Sequence, residues 1–359
     1  MQKSALADVA KVLAYILGSF VLAALISSPL YEIGKGFAAV VLTKDTADEL
    51  KWLAQKAQDA EFTRYFKRAL MLAAVILLFP LIYSLRLRTD PRKFKDTPWS
   101  VYLPPEAIAP AMGQPLQSPR WGILQLLTGF LLASGLFLAM SWLLFYFNWF
   151  NWSTPLTRDS ALYFVKKAIT PAIAASVIEE LLFRGALLGI FLRAFRPTFA
   201  IISLSFLFAA VHFLQPPSGA QVSDPTSITA GFEMLQLIGA RFLEPQALLY
   251  EFAALFLVGL ILGYARYRTA SLWLPIGLHA GWVFTLKMFK GLAARRPDLP
   301  AEFDIYMGHK VTEGIVPLVT LAITGAFVAF YVQRFYPKQA NTCEETANID
   351  SQKPPKPEK

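Results

Sequence analysis

The sequence predicts an all-α fold, a polytopic transmembrane helical bundle of about eight spans. Three observations carry this. The chain is 55% hydrophobic and only 16% charged, with a mean hydropathy of +0.44, where an average soluble domain carries about 25% charge. Its apolar residues gather in runs near the ~20 residues that cross a bilayer, too long for barrel strands. Arg and Lys cluster where those runs end, as they do on the cytoplasmic side of membrane proteins. Because lipid offers the backbone no hydrogen bonds, such runs close their own as helices.

Taken in order, the first span runs from about Val9 to Leu30. Lys44 to Arg68, with Trp52, Phe62, Tyr65 and Phe66, reads as an amphipathic helix on the membrane surface. A second span covers Ala69 to Leu85. Arg86, Arg88, Arg92, Lys93 and Lys95 follow at once and place that loop in the cytoplasm. Pro98, Pro104, Pro105, Pro110 and Pro115 make the stretch up to Pro119 an irregular tether. The third span, Trp121 to Phe147, meets an aromatic interface belt of Phe145, Tyr146, Phe147, Trp149, Phe150 and Trp152. The fourth segment, Ala161 to Phe195, holds Pro171 as a candidate kink. The fifth is Thr198 to Leu214. A semi-polar insert, Gln215 to Pro245, carries an amphipathic connector at Ile228 to Phe242. The sixth (Ala247 to Tyr264), seventh (Leu272 to Phe289) and eighth (Ile315 to Tyr331) complete the bundle. The tail beyond Pro337 is polar and expected to be disordered.

This divides the chain into a two-span region with its amphipathic helix and Pro-rich loop (1–120), a membrane bundle (121–336) with its core at about 161–289, and a tail (337–359). Arg193 with Arg196, Arg266 with Arg268, and Arg334 agree with cytoplasmic termini, while Arg295 and Arg296 dissent. The expected location is a cell membrane, in a bacterial inner membrane with both termini inside. The net charge of +9 belongs to this topology, since no basic strip interleaved with aromatics suggests nucleic acid. The single cysteine, Cys343, excludes an intramolecular disulfide framework and a thiolate metal cluster.

The stretch that needs a chemical reason is Ser176 to Gly185. It places Glu179, Glu180 and Arg184 inside an apolar segment, where each charge costs roughly 2.5–3.5 kcal/mol. Glu180 and Arg184 stand four apart, acid first, the favourable order for a helical ion pair. Glu179 is turned about 100° away, with no opposite charge at helical spacing. One acid thus reads as structural and the other as chemical. Of three histidines, His309 lies in a polar loop, while His212 and His279 lie in apolar helices. Counted from the cytoplasmic ends, Glu179 and His212 both fall roughly 21 Å deep, and His279 about 12 Å.

A Glu and a His around one water can remove its proton, and a second His can hydrogen-bond the oxyanion of a tetrahedral intermediate. That set suits peptide hydrolysis. The same residues, Glu179, His212 and His279, are also candidate zinc ligands, and both mechanisms stay open. No His-Glu-x-x-His helix and no Gly-x-Ser-x-Gly elbow occurs in the sequence.

Glu179-Glu180-x-x-x-Arg184, then Phe208-x-x-x-His212, then His279 on a later helix resemble the three motifs of the CPBP (CAAX protease and bacteriocin-processing, or Abi) family of intramembrane proteases. The likeness covers about Ala161 to Phe289. It implies that Glu179 and His212 activate water and that His279 stabilises the oxyanion. Glu180, Arg184 and Phe208 would be structural or orienting. It implies a membrane-associated or lipid-modified peptide as substrate, with zinc or no metal. One departure stands out: the position four after His279, often Asn in the family, is Val283, which has no side-chain donor. Trp282 offers an indole N–H about 100° away. Two other readings compete. A non-catalytic scaffold or immunity-type peptide-binding protein draws on Val283, and a proton-relay transporter draws on the Glu179/His212 pair.

Overall fold

The computed structural model describes residues 2–44, 47–84, 119–217, 219–243, 245–308 and 310–336. The Arg86–Lys95 loop, nearly all of the Pro-rich tether, His309 and the tail lie outside these residues. Among the described residues the fold is all-α apart from one small β-ribbon. The helices are α1 (Gln2–Leu42), α2 (Asp48–Gln58), α3 (Phe62–Ser84), α4 (Pro119–Tyr146), α5 (Arg158–Glu180), α6 (Leu188–Ala194), α7 (Pro197–Phe213), α8 (Ala230–Ala240), α9 (Pro245–Thr269), α10 (Trp273–Leu292) and α11 (Ile315–Phe335). The ribbon pairs β1 (Phe150–Trp152) with β2 (Ala293–Arg295), antiparallel.

Among the described residues, four helical stretches are long and apolar enough to cross a membrane: Leu6–Leu42, Trp121–Tyr146, Leu249–Thr269 and Ile315–Phe335. A shorter apolar helix is Pro197–Phe213. The chain is therefore a multi-pass helical membrane protein, with four clear spans where the sequence suggests eight. The helices that carry the acidic motif and His279 fall short of this measure. Charges such as Lys166, Lys167, Glu179 and Glu180 on α5, and Lys287 and Lys290 on α10, dilute their apolar character.

The packing is that of a membrane bundle. Large apolar side chains such as Leu17, Met71, Leu131 and Phe330 point outward, while Ala, Ser and small residues fill the interior. Several buried hydroxyls bond within their own helix: Ser19 donates to Tyr15 O, Ser141 to Phe137 O, Ser205 to Ile201 O and Thr324 to Thr320 O. A donor satisfied this way costs nothing extra in lipid.

The chain divides into two compact units, Met1–Arg92 with Leu207–Phe252, and Lys93–Phe206 with Ala253–Lys359, the boundaries falling within α7 and α9. In the first, Ala23 and Ala24 of α1 meet Phe62, Phe66, Ala69 and Ala73 of α3 and Met234 and Ile238 of α8. This corrects the expected surface helix over 44–68. The chain breaks at Asp59–Glu61 between α2 and α3, and Phe62, Tyr65 and Phe66 are core residues. Tyr65 donates its hydroxyl to Ala57 O. Only α2 keeps the amphipathic character, with Trp52 60% exposed under the Lys56 ammonium. Asp48 and Glu49 in its first turn and Lys56 in its last complement the helix dipole.

In the second unit, α4 and α10 pack through glycine. A Cβ on Gly277 would lie 2.1 Å from Leu126 O, one on Gly281 2.7 Å from Phe130 O, and one on Gly129 2.7 Å from Leu274 O. The notches are reciprocal, so the two backbones touch. Gln125 near the start of α4 donates to the Tyr336 hydroxyl just past α11, at 2.7 Å. A second cluster joins Met140, Leu144, Phe150 and Phe289. Phe150 is thus core, whereas Tyr146, Phe147 and Trp152 are exposed as an interface belt would be. Arg295 pairs with Asp304 and Arg296 with Asp298. Outside the spans, the Arg296 side chain holds the Asp298 carboxyl below its usual range through a hydrogen bond.

Candidate functional site

Helix α5 begins at a reciprocal cap. Thr157 accepts from the Ser160 amide, and Ser160 Oγ accepts from the Thr157 amide. The helix runs through Pro171 without a break. At Glu180 the winding changes, and Leu181–Leu187 form a π-helical turn that continues into α6. Such turns inside α-helices occur often at functional sites.

Glu180 is fully buried and Arg184 nearly so. Arg184 Nη1 donates to Glu180 Oε1 at 2.9 Å, the pairing that their spacing predicts. The same Oε1 accepts a second hydrogen bond from His279 Nδ1 on α10, at 2.8 Å. A carboxylate held by a guanidinium accepts only, so the shared proton lies on Nδ1. His279 Nε2 is 4.0 Å from Glu179 Oε2. The imidazole of the third motif therefore sits between the two acids of the first. Glu180 fixes its near nitrogen and Glu179 faces its far one. The Glu179 side chain is 31% exposed, while His279 is buried.

Arg184 Nη2 also reaches Gly259 O on α9, at 3.4 Å. In return Arg266 of α9 donates Nε to Arg184 O at 3.2 Å and Nη1 to Ala270 O at 2.9 Å. Arg266 is 0% exposed. The sequence marks it only as a positive span end, indistinguishable from an arginine in headgroups. Its neighbour Arg268 is likewise tied to protein, donating to Tyr336 O. Both carboxylates act electrostatically on Arg184, and Glu180 acts on Arg266. Glu180, Arg184 and Arg266 are thus buried together, with the half-buried Glu179 beside them.

His212 and Phe208 belong to the other unit. His212 Nδ1 lies 2.8 Å from Phe208 O. A carbonyl can only accept, so Nδ1 carries the proton and Nε2 of the neutral ring is an acceptor. The Phe208 ring lies 4.5 Å from the imidazole, centroid to centroid. The structure thus brings Glu179, Glu180, Arg184 and His279 together and sets the tautomer of His212 separately. Trp282 packs on the apolar cluster of Ile261, Leu262 and Val328, and Val283 is half-buried.

Among the described residues, no three His, Cys, Asp or Glu side chains form a group that could hold a metal ion. His279 Nδ1 is engaged by Glu180. With Glu180 on Nδ1, Nε2 is the nitrogen through which His279 would meet a substrate or an ion.

Fold and site together define a class, a multi-pass helical membrane protein with a buried Glu/Arg/His cluster. Residues 161–285 match the type II CAAX prenyl endopeptidase Rce1-like family. This is a CAAX-protease-like match, consistent with the broader CAAX/Abi protease superfamily. It spans all three motifs and about a third of the chain. No curated protein and no solved structure matches.

Proposed function

We propose that the chain is an intramembrane endopeptidase of the CPBP type, hydrolysing a peptide bond of a membrane-associated or lipid-modified substrate. The observation that carries this reading is the Glu180–His279 hydrogen bond, 99 residues apart in sequence. It joins the first and third motifs inside the segment matched to the family.

Glu179, the more accessible acid, takes a proton from water with the help of His212, whose Nε2 is an acceptor. The water oxygen attacks the scissile carbonyl carbon, and the carbonyl electron pair moves onto its oxygen. His279 faces that oxyanion with Nε2. Because Nδ1 already donates to Glu180, an N–H exists at Nε2 only when both nitrogens carry protons. Collapse of the intermediate breaks the C–N bond, and Glu179 returns its proton to the leaving amine. Glu180 and Arg184 orient the ring. The apolar segments α3, α5–α6, α7 and α10 complete eight spans, with both termini on the cytoplasmic side.

The test is cleavage of lipidated and unlipidated membrane-anchored peptides by detergent-solubilised protein. Glu179→Gln and His212→Ala should each lower kcat about 10²–10⁴-fold with the fold intact, and metal analysis of the wild type separates a zinc site from water activation by Glu179 and His212 alone. Wild-type activity in either folded variant would overturn the mechanism. For topology, Cys343 in sealed right-side-out vesicles should resist an impermeant maleimide until permeabilised. Labelling beforehand would reverse the orientation. Val283 favours a second reading, a non-catalytic peptide-binding protein, because a missing oxyanion donor costs about 2.7–4 kcal/mol in other systems. On that reading Glu179→Gln retains peptide binding and wild type cleaves nothing.

A further inference from the structure

We infer that Arg266 is a positioning residue of this centre, holding the π-helical turn so that Glu180 and Arg184 fix His279. The inference rests on the endopeptidase reading for its kinetic part only.

The argument starts from cost. An arginine with no exposure inside an apolar helix is expensive unless paired and hydrogen-bonded. Arg266 donates to two main-chain carbonyls, Arg184 O and Ala270 O, and neither acceptor is charged. The Glu180 carboxylate acts on it electrostatically, and the same group binds Arg184 and His279.

Geometry gives the second part. In a π-turn the main-chain bonds shift to i→i+5, and carbonyls come within reach of outside donors. Arg184, in the middle of Leu181–Leu187, offers its carbonyl to Arg266 and sends its own side chain to Gly259 O. Gly259 and Arg266 lie about two turns apart on one face of α9. The two arginines therefore lace α9 to the turn at two levels, each bonded to the other helix's backbone. A shift of the turn moves the shared Glu180 oxygen, and with it the ring of His279. The Nε–Nη1 fork makes both bonds at once. A lysine ammonium in its place keeps the charge but not the fork.

The experiment uses the full-length protein in micelles with Arg266→Lys, Arg266→Gln and Glu179→Gln. Three histidines make selective ¹⁵N-imidazole NMR tractable, with His279 assigned by its alanine variant. Both Arg266 variants should fold by size exclusion and thermal unfolding. They should move the His279 ring resonances while leaving those of His212 and His309 in place. Cleavage should show kcat down at least ~10-fold, on the scale of a positioning loss, with KM within about twofold of wild type. Lysine should not rescue. Unmoved His279 resonances in a folded variant would overturn the inference. So would moved resonances with wild-type kcat, rescue by lysine, or failure of both variants to fold, which would leave Arg266 a role in stability alone. If wild type and Glu179→Gln are equally inactive, the endopeptidase reading fails, while the His279 resonances still decide the role of Arg266.

Discussion

Substituting Gly277 by alanine tests how tightly the His279 helix must lie against α4. The new Cβ would sit 2.1 Å from Leu126 O, whereas real Cβ atoms essentially never come closer than 3.0 Å. One backbone must retreat by about 1 Å, because the obstacle is a main-chain carbonyl and not a flexible side-chain end. Two effects oppose each other. Alanine gains about 1 kcal/mol of helix propensity over glycine, and overpacking costs about 1–3 kcal/mol. With a rigid obstacle the upper part of that range applies, so the net loss should be about 1–2 kcal/mol. The larger consequence is for chemistry. His279, two residues on and so about 200° round the helix, faces α5 and holds Glu180 at 2.8 Å, and ~1 Å of displacement away from α4 pushes the ring against that acid and out of hydrogen-bond geometry. Misplacement on this scale costs on the order of 10²-fold in rate. The assay pairs unfolding in micelles with kcat for an anchored peptide. A Gly277→Ala protein with an unchanged unfolding midpoint and kcat within about twofold of wild type would refute the reasoning.

Three further outcomes are expected. Glu180→Ala strips two buried donors of their shared acceptor and should destabilise the protein by about 3–5 kcal/mol, read by thermal unfolding; a loss below about 1 kcal/mol would show the cluster to be solvated. Gly231→Ala puts a Cβ 2.0 Å from Ala24 O between α8 and α1 and should cost about 1–3 kcal/mol, with wild-type stability as the contrary result. The Thr226 hydroxyl and amide hold the Asp224 carboxyl below its usual 3.8. A lowered folded value means that this turn is fully supported above the usual carboxylate range and loses support as pH falls through the lower value. Amide exchange at Thr226 should therefore show protection near neutrality that fades as pH falls below the usual carboxylate range, and Asp224→Asn should remove that dependence; equal protection at all pH values would count against it.

Much of this was legible in the sequence because helices announce themselves locally. The apolar runs fall within a few residues of α4, α7, α9, α10 and α11, and the Glu180–Arg184 pair follows from spacing alone. Several features were not legible. The break at Asp59–Glu61 leaves α3 beginning with buried aromatics, which look amphipathic when counted together with α2. The ribbon of Phe150–Trp152 with Ala293–Arg295 is three residues long on each side, too short for an alternating pattern to register. Four-residue spacing pairs Glu180 with Arg184 but says nothing of a histidine 99 residues away. Arg266 looks the same in sequence whether it lies in headgroups or in the core.

One consequence follows from the partner that His212 has chosen. Its proton is pinned by the carbonyl of residue 208 and not by that residue's side chain. Every amino acid supplies that oxygen, so no substitution at 208 deletes it as long as the helix persists. The phenylalanine specifies shape, a ring face beside the imidazole, and carries no instruction about protonation. A leucine or tyrosine there would alter fit and leave the Nδ1 hydrogen bond in place. The second motif is thus two messages written in one word, and only the histidine half is chemical.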